Sequence, residues 1–124
     1  MVAGEKTNIP KTIQTKGRFD GKIPFITSLI VSSIESKYLK KVYLFGSYAY
    51  GEPNEESDID IFVIIDDIYD NRKAYLDIKD KLIDNKIYPC DLIVRKENEF
   101  KEGMEENAYN FEKIIYNHGV VLYG

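Results

Sequence analysis

The chain contains a single cysteine, Cys90, so no internal disulfide can form. Sparse cysteine is the usage of a reduced, cytoplasmic protein, and that is the expectation here. No apolar run approaches the roughly 18 residues that a bilayer span requires. The first 18 residues are polar and carry Lys6, Lys11, Lys16 and Arg18, unlike a secretory leader. Positive charge is also in deficit. Seventeen Lys and Arg stand against 21 Asp and Glu, a net charge of -4, which argues against stable nucleic-acid binding by the chain itself. With 44% hydrophobic and 31% charged residues, the composition is that of a folded domain and excludes a disordered tail. The length of 124 residues leaves room for one small domain. An enzyme this short must build its site on one sheet, with no second domain to hold another substrate.

Residues 1–18, punctuated by Pro10 and Gly17, read as a mobile polar lead, and residues 19–124 as the single domain. Ile26, Leu29, Ile30 and Ile34 recur at helical spacing, with Pro24 in the first turn, and predict a helix over about 24–38. The run Val42–Phe45, ended by Gly46, predicts a buried strand. A short helical turn and a loop containing Gly51 and Pro53 follow. In the next strand, 58–65, Ile59, Ile61, Val63 and Ile65 alternate with Asp58, Asp60, Phe62 and Ile64. A helix over 70–84, a strand over Cys90–Arg95, one long helix over 97–117 and a closing edge strand over Val120–Tyr123 complete the pattern. The fold class is α/β (α+β), a small mixed sheet of about four strands with helices packed on it.

The chemistry concentrates in two places. Asp58 and Asp60 are two apart on a strand, so both side chains leave the same face, about 6.5–7 Å apart. Carboxylates so placed repel one another unless a cation lies between them, and Mg²⁺ prefers oxygen ligands. Asp91 opens a second strand; if the two strands are neighbours, three carboxylates converge in a set able to hold two Mg²⁺. Upstream, Gly46-Ser47 joins a strand to a short helix. Glycine lets the backbone approach a phosphate, while the serine hydroxyl and helix N–H groups donate to its oxygens. Arg95 lies on the same strand face as Asp91, about 13 Å along, as a source of positive charge.

Each of these has a plainer alternative. Asp58 can serve as a turn residue, Asp60 as an edge charge, and Gly46-Ser47 as a simple turn. Cys90 reads as a small buried hydrophobe and His118 as a helix C-terminal charge. Most of the ten tyrosines belong to the core and its rim, with base stacking as a secondary reading for Tyr48 and Tyr50.

Gly46-Ser47-Tyr48-Ala49-Tyr50-Gly51, followed by Ser57-Asp58-Ile59-Asp60-Ile61, resembles the signature of the DNA polymerase β nucleotidyltransferase superfamily. The nearest likeness is to its minimal, stand-alone members, over about residues 24–123. The resemblance implies that Gly46 and Ser47 contact the triphosphate of ATP or another NTP. It also implies that Asp58, Asp60 and Asp91 bind two Mg²⁺, with Asp91 acting on the attacking hydroxyl. The pattern departs at Tyr50, where the family often has arginine, so a fixed positive charge is absent there.

The resemblance further implies AMP transfer from ATP to a hydroxyl of a HEPN-domain partner protein, with this chain as the antitoxin of the pair. A non-catalytic nucleotide-binding module that neutralises its partner by association is the alternative, and Tyr50 favours it. Small-molecule nucleotidylation is a third reading, against which stands the absence of an additional helical domain. A homo-oligomer is also open to a domain of this kind.

Overall fold

The structure, a computed structural model, describes residues 23–50 and 57–124. The expected polar lead over 1–18, and Gly51 and Pro53 of the expected loop, lie outside the described residues. In chain order the elements are α1 (Ile23–Ser33), β1 (Lys41–Phe45), α2 (Ser47–Tyr50), β2 (Ile59–Ile65), α3 (Asn71–Asp84), β3 (Cys90–Lys96), α4 (Glu97–Glu105), α5 (Phe111–His118) and β4 (Val120–Tyr123).

The four strands form one mixed sheet in the order β3-β2-β1-β4. β1 runs antiparallel to both β2 and β4, whereas β2 and β3 are parallel. The α/β (α+β) class and the closing edge strand expected from the sequence are therefore present. Every residue of β2 is buried except Asp60. That pattern follows from its central position, because helices cover both of its faces and near-continuous apolar sequence is the stable solution. Ile59, Ile61, Val63 and Ile65 join the larger core with Ile30 of α1 and Ala74, Ile78 and Leu82 of α3. Phe62 and Ile64 face the other way, into a cluster with Tyr43, Phe45, Phe100 and Ile115, beneath α4 and α5. Asp60 shares that second face.

α3 buries Ala74, Ile78 and Leu82, one per turn, and starts where the Asp70 carboxylate accepts from the Arg72 N–H at 3.2 Å. Its C-terminal Asn85 donates to Ser33 Oγ at 2.7 Å, tying it to the end of α1. The first helix ends at Ser33, short of the expected residue 38. Ile34 and Tyr38 keep their burial in the turns that follow, so their spacing reports packing and not helix.

The expected single helix over 97–117 is two helices. Asn110 divides them: its side chain accepts from the Lys113 N–H at 3.1 Å and donates to the Gly103 carbonyl at 2.7 Å, capping α5 and closing α4 onto it. Among the described residues no helix is long and apolar enough to cross a membrane.

Candidate active site

The site lies where β1 ends and β2 and β3 begin. Because β1 is antiparallel to β2, Phe45, the last residue of β1, sits opposite Asp60. Because β3 is parallel to β2, Asp91 sits opposite Asp60 on the other side. The chain thus threads Gly46, Asp60 and Asp91 across three adjacent strands at one sheet end.

Gly46 has φ +73°, in the left-handed region. A Cβ built there would lie 1.9 Å from Asp60 Oδ2. Two independent constraints, backbone conformation and space, therefore demand glycine. The Gly46 carbonyl accepts from the Ala49 N–H at 3.0 Å, which starts α2. Tyr48 and Ala49 anchor this turn in the core, at 0% and 4% exposure, leaving Ser47 partly open beside the carboxylates. Base stacking by Tyr48 is corrected by this burial. α2 is only four residues long. Its contribution to an anion is thus individual N–H groups and the Ser47 hydroxyl, not a helix dipole of any size.

Asp60 and Asp91 are register partners on adjacent strands, so their carboxyls lie side by side. Burial, then repulsion from Asp91, a hydrogen bond with it, and repulsion from Asp58 push the Asp60 carboxyl up to about 7. Asp58 precedes the first residue of β2 and stands apart from the pair; among the described residues no three acidic, histidine or cysteine side chains are drawn into a closed cation cage. The structure thus brings two of the three expected carboxylates into contact and the third into electrostatic range. The donor set is all oxygen, crowded and electrostatically frustrated, which fits a hard divalent cation.

Arg95 is not gathered into this group. It pairs in register with Ile64, and its Nε lies 4.0 Å from Glu112 Oε2 on α5. A cation missed by the sequence reading is Lys79 of α3, whose ammonium donates to the Cys90 carbonyl. Its place in the amphipathic pattern of α3 was visible, but its reach to the residue before Asp91 depends on how α3 packs against β3. Burial pushes the Cys90 thiol up to about 12, with further increases from Asp60, Asp91 and Asp58 and a decrease from Lys79. It is 6% exposed and stays a neutral core thiol, as its sequence context suggested.

The raised Asp60 value has a consequence for stability. Between the ordinary carboxylate range and about pH 7, the folded state holds a proton on Asp60 that the unfolded chain releases. Stability without metal therefore falls as pH rises through that window. Asp60→Asn, which keeps a donor toward Asp91, removes the dependence. Because the group is partly solvated, the advantage of the variant at pH 8 is on the order of 1–2 kcal/mol. Thermal unfolding of both proteins from pH 4 to 8 in EDTA checks this; parallel curves overturn it.

A glycine-serine turn packed against paired strand carboxylates offers donors suited to a phosphate on one side and oxygen ligands suited to a divalent cation on the other. The chain belongs to the family described as "Nucleotidyltransferase domain", whose model matches residues 28–121. It is a minimal nucleotidyltransferase of the DNA polymerase β superfamily, and an enzyme. Two relatives come from Methanocaldococcus jannaschii. One, named "Putative protein adenylyltransferase MJ0604", is 35% identical over 96 residues, 75% of this chain and 90% of that protein. The other, named "Putative protein adenylyltransferase MJ1379", is 43% identical over 65 residues, covering 51% of this chain and 65% of that protein.

Proposed function

We propose that this enzyme moves AMP from ATP to a hydroxyl of a partner protein, with Mg²⁺, and that it acts as the antitoxin of a HEPN-domain toxin. The observation that carries the transfer reading is the opposition of Asp60 and Asp91 across adjacent strands beside Gly46-Ser47. The names of the two relatives support AMP and a protein acceptor. The HEPN partner rests on the likeness to minimal antitoxin-type members.

In this reading Ser47 and the adjacent N–H groups hold the leaving phosphates, and Asp91 orients the attacking oxygen. The acceptor O–H attacks the α-phosphorus, a new P–O bond forms, the bond to pyrophosphate breaks, and the hydroxyl proton passes to a carboxylate at Asp91. Bound Mg²⁺, which Asp58, Asp60 and Asp91 would hold, supplies charge neutralisation for the triphosphate. In-line attack requires the acceptor to be held about 3–3.5 Å from phosphorus. A partner that brings its own surface meets that requirement for so small a domain.

Calorimetric titration with ATP is expected to show binding in Mg²⁺ and none in EDTA; equal binding in both removes the metal from the mechanism. With ATP labelled in the adenosine portion and the purified partner, label is expected on the partner, together with loss of its toxicity. Neutralisation without label establishes instead the non-catalytic module that Tyr50 favours.

A further inference from the structure

β3 is an edge strand, and its outer side borders a groove of about 390 Å³ between Asn71, Arg72 and Tyr75 of α3 and Leu92–Arg95. That volume falls in the range of ligand clefts. The Ile59 N–H donates to the Pro89 carbonyl, so odd-numbered residues of β3 turn their backbone groups to β2, and even-numbered ones turn outward. Side chains already serve three outward groups: Lys79 the Cys90 carbonyl, Arg95 the Val94 carbonyl at 3.1 Å, and Glu99 the Lys96 N–H at 2.8 Å. Between them no described side chain meets the Leu92 N–H, the Leu92 carbonyl or the Val94 N–H. Asn71 Oδ1, on the groove wall, is a buried acceptor with no hydrogen-bond partner among the described residues, although its Nδ2 donates to Glu99 at 2.9 Å. The lining carries two guanidinium groups; of the carboxylates beside it, Glu99 is engaged by Asn71 and the Lys96 N–H, and Glu112 meets Arg95 at 4.0 Å.

We infer that this groove seats an extended, acidic segment of the acceptor protein as an added strand along β3. This rests on the protein-acceptor reading above and extends it. The open backbone groups provide a short ladder, and Arg72 with Arg95 attracts a carboxylate. The groove starts at Leu92, next to Asp91, and ends at Arg95, about 13 Å from Asp91. A segment laid along it places its hydroxyl at the carboxylates when its acidic residue lies about four positions away.

The probes are short extended peptides, each with one hydroxyl-bearing residue and, about four residues to either side, aspartate or lysine. Fluorescence anisotropy without ATP is expected to show at least about tenfold tighter binding of one aspartate series than of its lysine counterpart. Amide NMR is expected to show the shifts centred on Leu92 and Val94. Arg72→Glu is expected to abolish the aspartate preference while leaving the melting temperature and Mg²⁺-dependent ATP binding unchanged. Absence of a charge preference, shifts centred on another surface, or a dimer in sedimentation that uses this edge and resists the peptides overturns the docking surface. Peptides that seat on β3 but never receive label remove the protein-acceptor reading and leave the surface in place. Label transfer without preference or shifts at β3 does the reverse.

Discussion

The double variant Asp58→Asn/Asp60→Asn is expected to lose nucleotidyl transfer by about a thousandfold or more, yet to melt no lower than the native protein in EDTA. The two effects have opposite signs because they arise from one cause. Three carboxylates at one sheet end repel each other when no cation is present, and burial deepens the cost at Asp60. Neutralising two of them relieves the folded state and removes the negative charge a divalent ion needs. Mg²⁺ should therefore raise the melting temperature of the native protein, because it binds the folded state alone, and leave that of the variant unchanged. Melting curves with and without Mg²⁺, alongside labelled-ATP transfer, check both parts. A large loss of stability in EDTA would mean that the aspartates are structural acceptors for buried donors.

Much of this arrangement was legible because local chemistry and burial coincide. The alternation in β2 exposed Asp60 as the polar interruption of an otherwise apolar strand, and the structure leaves it as the one residue there that is not buried. α3 could be read from the helical spacing of Tyr69, Leu76, Leu82 and Ile83, although its buried face runs through Ala74, Ile78 and Leu82 and leaves Leu76 and Ile83 exposed. The break at Asn110 was hidden by the same signal. Phe100, Met104, Phe111 and Ile115 keep an approximately helical spacing across it, because α4 and α5 both pack on the cluster around Phe62. The aromatic contacts of Phe62 with Phe100 at 5.7 Å and Phe111 at 5.9 Å hold the two helices to one patch.

What could not be read was long-range. Asp58 and Asp60 are neighbours in sequence, but the contact of Asp60 with Asp91 depends on parallel pairing in a given register across an intervening helix. The grouping of Asp91 with the pair was conditional for that reason. The placement of Arg95 shows the same limit from the other side. It shares a strand face with Asp91, yet four residues of extended chain carry it to a groove bordered by α3, whose position the strand pattern does not encode. Tyr48 looked available beside the motif, and only the packing of α2 against β1 and β2 reveals it as an anchor.

The close approach of Gly46 to Asp60 leads to the second large effect. Gly46→Ala is expected to cost about 3–4 kcal/mol and to abolish Mg²⁺-dependent ATP binding. Part of the cost is conformational: φ +73° is strained for alanine by about 1–2 kcal/mol. The larger part is steric, since the new methyl group falls 1.9 Å from Asp60 Oδ2 and 2.9 Å from its carboxyl carbon, so the carboxylate must leave its place opposite Asp91. The two parts separate in a double-mutant cycle. In an Asp60→Ala background the obstructing carboxylate is gone, and Gly46→Ala should then cost only the backbone strain, about 1–2 kcal/mol. Urea denaturation of the four proteins in EDTA measures the coupling. If the cost of Gly46→Ala is the same in both backgrounds, glycine is there for the turn alone. A coupling of about 2 kcal/mol instead makes the close packing of Gly46 on Asp60 the contact that holds the Gly46-Ser47 turn against this carboxylate.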